Sequence, residues 1–104
     1  MVQLSYDGDS ARGGAHLDDV PAIVEAVEES EHLEMAGFMV VPPLDSQPRE
    51  VFAQARSLTD DYAAKLNRNL RLSAGMSGDF VDAIACGSDI VRVGTALLGP
   101  RPVV

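Results

Sequence analysis

The stretch Leu72–Gly99, LSAGMSGDFVDAIACGSDIVRVGTALLG, holds two turns in which small residues lead from an apolar strand pattern into a helix. The first is Ser73-Ala74-Gly75-Met76-Ser77-Gly78 and the second is Gly94-Thr95. Small side chains let successive backbone N–H groups converge, and a helix mouth adds unpaired donors and the positive end of its dipole. The two turns together read as a phosphate clamp. Ser77 brings a hydroxyl and an amide to the first mouth, and Gly94 and Thr95 bring two successive amides to the second. Arg92 stands two residues before Gly94 in an otherwise apolar strand, so alternation sends both to one side. A guanidinium placed there is costly unless it meets an anion, a ring acceptor or a carboxylate. A structural ion pair with an acid of this chain is the alternative to a ligand contact.

The elements that must position these residues follow from hydrophobic period. Val2–Tyr6 alternates as a strand, with a loop over 7–14 after it. Asp18 and Asp19 offer N-caps to a helix whose apolar stripe is Val20, Ile23, Val24 and Val27. The run 34–41, closed by Pro42-Pro43, predicts a second strand. Ser46 is placed to cap a helix with Pro48 in its first turn and a stripe of Val51, Ala55, Leu58, Tyr62 and Leu66. Leu70–Ala74 predicts strand three, and Asp79–Cys86 a short helix with Phe80, Val81, Ile84 and Ala85 inward, stopped by Gly87. Asp89–Gly94 predicts strand four, and Thr95 starts a last helical turn.

Four strand-helix units with apolar strands imply an α/β fold with a parallel sheet, half of a (β/α)8 TIM-type barrel. At 104 residues, the whole of 1–104 reads as a single partial domain. The first expected strand begins directly after Met1, and natural domains seldom start inside a core strand. Ligands of parallel α/β folds sit at the carboxyl ends of the strands, and barrel phosphate sites use the loops after the last two. Both small-residue turns are at that end.

Composition excludes several functions. Sixteen Asp and Glu stand against eight Lys and Arg, so nucleic acid, which draws on clustered cations, is not an expected partner. No apolar run reaches the ~20 residues of a membrane span, and no basic-plus-apolar leader opens the chain. With the single Cys86, read as a buried structural thiol, this suits a soluble cytoplasmic protein. His16 and His32 lack ligand spacing to Cys86, so no metal is expected. Gly75-Met76-Ser77-Gly78 resembles a nucleophile elbow, yet its second glycine comes one residue early and both histidines precede Ser77.

LSAGMSGD followed by IVRVGTALLG is similar to the carboxyl-terminal signature of the YggS/PROSC family of pyridoxal phosphate homeostasis proteins. These share a barrel with the amino-terminal domain of alanine racemase. VQLSYDGDSARGG and MAGFMVVPP resemble that family's preceding strands in the same order. The resemblance implies that Ser77, Gly94 and Thr95 hold the cofactor phosphate, that Arg92 faces the pyridine nitrogen, and that Ser73 and Met76 line the mouth. It also sets Arg12 near the barrel mouth. The family's cofactor-binding lysine belongs to an amino-terminal half with no counterpart here. The only lysine, Lys65, lies outside the apolar stripe of its helix, so pyridoxal 5'-phosphate, if bound, is expected to be held non-covalently.

Three functions are thus in play. The first is a cofactor-binding homeostasis protein without catalysis. The second is an assembly unit or fragment, because four parallel strands leave open edges that invite self-association or a complementary half-barrel. The third is an enzyme acting on another phosphorylated small molecule, with Asp79 or Asp7 as base.

Overall fold

The computed structural model describes residues 1–6, 13–43 and 46–94. Its strands are β1 (Val2–Ser5), β2 (Ala15–His16), β3 (Gly37–Val40) and β4 (Arg71–Ala74); its helices are α1 (Val20–Glu29), α2 (Pro48–Leu66) and α3 (Phe80–Ala85). All strand pairs are parallel, in the order β2-β1-β3-β4. The fold is α/β, as the alternation of elements requires.

Register decides the two faces. Val2, Phe38 and Leu72 lie abreast, then Gln3, Met39 and Ser73, then Leu4, Val40 and Ala74. Successive residues point to opposite faces, so the first and third rows share one. Those two rows form the core with Val20 and Val24 of α1, Val51, Phe52 and Ala55 of α2, and Ala83 of α3. Gln3, Met39 and Ser73 take no part in it, and face the side on which no helix is described. Phe38 also meets Tyr62, ring centroids 5.4 Å apart. β3 and β4 approach closely at Gly37: a Cβ there, at φ +149°, would stand 1.8 Å from the Arg71 carbonyl oxygen.

Several expectations need correction. The fourth parallel strand is β2, just past the loop expected over 7–14, where no strand was expected, and no helix is described between it and β1. Asp89–Gly94 runs beside β4 without forming a strand of its own: it makes one β-bridge, Ser73 to Ile90, with the Asp89 and Ile90 amides donating to the Leu72 carbonyl. α1 is entered through a 3-10 turn at Leu17–Asp19; Asp19 already has helical backbone angles and makes no side-chain cap. Ser46 does not cap α2 either, because its hydroxyl donates to the Pro43 carbonyl at 2.6 Å, and Gln47 occupies the cap position. The buried face of α2 is Val51, Phe52, Ala55 and Thr59, with Leu58, Tyr62 and Leu66 only partly covered.

α3 departs furthest from the expected inward set. Val81 and Ile84 are 65% and 55% exposed, Ala85 is exposed, and Ala83 is the buried residue. The cause is the turn before the helix. Ala83 seats so closely on Gly75 that a Cβ there would lie 2.8 Å from it, and steps of 100° then carry Val81 and Ile84 away from the core.

Candidate functional site

The amide of Arg92 donates to the carbonyl of Gly75 at 2.8 Å, which ties the second small-residue turn to the first at the carboxyl end of β4. Ile90 bridges Ser73 on the helix-free face, so alternation puts Arg92 on that face too. Its side chain crosses the end of β4, and Nη2 donates to the Val40 carbonyl at the end of β3, 3.2 Å away. Nε is the one buried side-chain nitrogen or oxygen among the described residues without a hydrogen-bond partner. Among the described residues no carboxylate meets Arg92: the ion pairs are Arg49–Asp82, Arg56–Asp60, Arg56–Asp89 and Arg68–Glu28. The structural ion pair weighed above is therefore not formed there. A buried donor left unsatisfied costs about 1–3 kcal/mol, more when charged.

Ser73 is buried in β4, Met76 is exposed at the mouth, and Ser77 and Gly94 follow at the same end. Thr95, Arg12 and Asp7 lie outside the described residues. The first turn offers fewer amides than its composition promised. Met76 N–H donates to Asp79 Oδ1 at 2.8 Å, while Asp79 and Phe80 both donate to the Met76 carbonyl. Asp79, the candidate base, is thus turned back on its own loop. At Gly94, an added Cβ would meet nothing within 4 Å among the described residues.

Residues that the sequence did not single out hold this segment in place. Ser88 Oγ lies 2.7 Å from the Ala74 carbonyl and accepts from the Ala74 amide at 3.2 Å. Asp89 Oδ2 accepts from the Leu72 amide and from Arg56 Nη1, each at 2.9 Å. The Leu72 amide holds the Asp89 carboxyl below its usual range, against partial burial and with help from Arg56. Burial opposes the charge of Arg56, but its bonds to Asp60 and Asp89 outweigh that and raise it above the usual value. The signal for this cluster is conformational and long-range, across 33 residues, and no local spacing carries it.

Two open depressions of about 490 and 500 Å³ lie at the amino ends of the strands, around Asn69 and Arg71. That end is opposite the Arg92 mouth, and parallel α/β folds bind ligands at the carboxyl ends, so geometry favours the mouth. Lys65 is exposed on α2, its Nζ 5.7 Å from the Tyr62 ring centroid, and Cys86 is only partly buried. Among the described residues no cluster of His, Cys, Asp and Glu suits a metal ion, and no helix is long and apolar enough to cross a membrane.

A parallel sheet with helices on one face and an arginine across its carboxyl edge is the pattern of a partial TIM-type barrel. The family comparison agrees: residues 1–102 match the alanine racemase N-terminal domain family, and the chain belongs to it. Among curated relatives, the pyridoxal phosphate homeostasis protein of Corynebacterium glutamicum is 47% identical over 98% of this chain and 46% of its own length. Its namesake in Escherichia coli K12 is 33% identical over 97% of this chain and 44% of its own. Among solved structures, PipY of Synechococcus elongatus, with PLP bound, matches with a TM-score of 0.80 and 30% identity, over 94% of this chain and 47% of PipY. The chain spans less than half the length of each of these relatives.

Proposed function

We propose that this chain binds pyridoxal 5'-phosphate at the carboxyl end of its sheet, as the phosphate-holding, carboxyl-terminal half of a (β/α)8 barrel in a cytoplasmic cofactor carrier. Ser77, Gly94 and Thr95 take the phosphate, Arg92 faces the pyridine nitrogen, and Ser73 and Met76 line the mouth. The observation that carries this is Arg92: a cation reaching over two strand ends, with a buried Nε that nothing among the described residues satisfies. The PLP-bound PipY structure supplies the ligand chemistry by similarity. When bound, the cofactor brings an aldehyde and an electron-withdrawing ring. This chain's residues bind and orient it, and none is assigned a step of turnover. Lys65 lies on the exposed side of α2, so retention is non-covalent.

The test is titration with pyridoxal 5'-phosphate, followed by calorimetry and absorbance. Saturable binding that inorganic phosphate competes away is expected, with Arg92→Leu weaker by roughly tenfold, the scale of a hydrogen bond to a charged group. Binding indifferent to phosphate, or none even with a lysine-bearing half-barrel added, overturns the assignment.

The helix-free row of Gln3, Met39 and Ser73 favours a second feature of this reading, a partner half-barrel or a second copy seated on that face. Light scattering at high concentration tests it. A stable monodisperse monomer argues against it.

A further inference from the structure

The segment Ser88–Gly94 carries Arg92 and Gly94 to the mouth, and it has a single β-bridge to β4, supported by backbone bonds from Asp89 and Ile90 to the Leu72 carbonyl, from Ala74 to the Ile90 carbonyl and from Arg92 to the Gly75 carbonyl. Toward the amino end of β4 a side chain reinforces that register. At Leu72 the strand amide donates to the carboxylate of Asp89, where a full ladder would offer a neighbouring carbonyl. The same oxygen, Oδ2, accepts from Arg56 Nη1, which also donates to the Gly87 carbonyl at 3.0 Å. Arg56 is braced in turn by Asp60, through Nη2 at 2.6 Å and Nε at 3.0 Å. Asp89 therefore clamps the segment to β4 and α2 together, three residues before Arg92. A slip of one residue would displace Arg92 by about 3.3 Å and turn its side chain to the opposite face. The bond from Nη2 to Val40 could not then form.

We propose that the Asp89–Arg56 pair is a latch at the amino end of the sheet that positions Arg92 and Gly94 for ligand at the carboxyl end. The latch rests on the hydrogen bonds above; its link to a cofactor rests on the function proposed in the preceding subsection. Asp89 and Arg56 touch no ligand in this scheme and act through the segment they hold.

Amide hydrogen exchange and titration with pyridoxal 5'-phosphate and with inorganic phosphate, in the full chain and three variants, test the proposal. In Asp89→Ala, exchange at the Ile90 and Arg92 amides should rise by about tenfold or more, while the amides of β3 keep their protection. Affinity for both probes should fall by a similar factor. Asp89→Asn keeps an acceptor for the Leu72 amide and should recover most of the loss, and Arg56→Gln should fall between. Unchanged protection at Ile90 and Arg92 in Asp89→Ala overturns the latch, as does a rise spread equally over β3. Raised exchange with intact affinity overturns its positioning role. Should the unaltered chain bind neither probe while exchange responds as expected, the latch is supported and the cofactor assignment is what fails.

Discussion

The sheet has one face built for packing and one built with little regard to it. Val2, Leu4, Phe38, Val40, Leu72 and Ala74 all point under the helices and are buried. In the row between them stand Gln3, Met39 and Ser73, an amide, a thioether and a hydroxyl, outside the core cluster. On the function proposed above, the difference separates packing from binding: the core lies on the covered face, and Arg92, the residue proposed to meet the ligand, lies on the other.

Neighbouring residues of β3 give the strongest way to break this comparison. Phe38→Ala should cost about 3–5 kcal/mol in urea denaturation, because it empties a fully buried ring site next to Tyr62. Met39→Ala, one residue on and facing the other way, should cost about 1 kcal/mol or less. A comparable loss at both positions would mean that the second face is packed as well, and the division between stability and function would not hold.

Much of the covered face was legible in the sequence, because a stripe such as Val20, Ile23, Val24 and Val27 has one buried solution on a helix. The short elements were not. α3 has six residues, too few for a period to declare its inward side, and contact with Gly75 chose Ala83 over Val81 and Ile84. β2 has two residues and no alternation to read. At the mouth, the placing of Arg92 at the carboxyl end of the sheet was legible because strand direction is a local property. The hold of Asp89 and Arg56 on that segment was not, since it joins residues 33 apart through side chains. Likewise, composition suggested a ring of open amides over 73–78, whereas Asp79 already engages one of them.

The acid end of the pH range sharpens the comparison between the latch and the core. The Asp89 carboxyl titrates lower in the folded chain than its ordinary 3.8. A depressed folded value means that its contribution is full above the unfolded value and is lost as pH falls through the folded one. Since the Asp89 side chain is 42% exposed, solvent screening limits the effect to under about 1 kcal/mol. In Asp89→Asn the stability curve should be flatter than in the unaltered chain below pH 4, and the two curves should converge at the lowest pH. Parallel curves would show that the carboxylate contributes nothing there.

The smallest effect on stability is expected at Gly94, where it is also most informative. An added Cβ meets nothing within 4 Å among the described residues, and Gly94 is not among the glycines at positive φ, so Gly94→Ala should shift stability by no more than about 0.5 kcal/mol. Gly37→Ala makes the opposite control, because its Cβ would fall 1.8 Å from the Arg71 carbonyl oxygen and force β3 from β4. If the Gly94 amide lies against a phosphate, a methyl group beside it obstructs the anion, and affinity drops while the melting temperature holds. Unaltered affinity in Gly94→Ala would remove Gly94 from the site and leave Arg92 to carry the mouth without it.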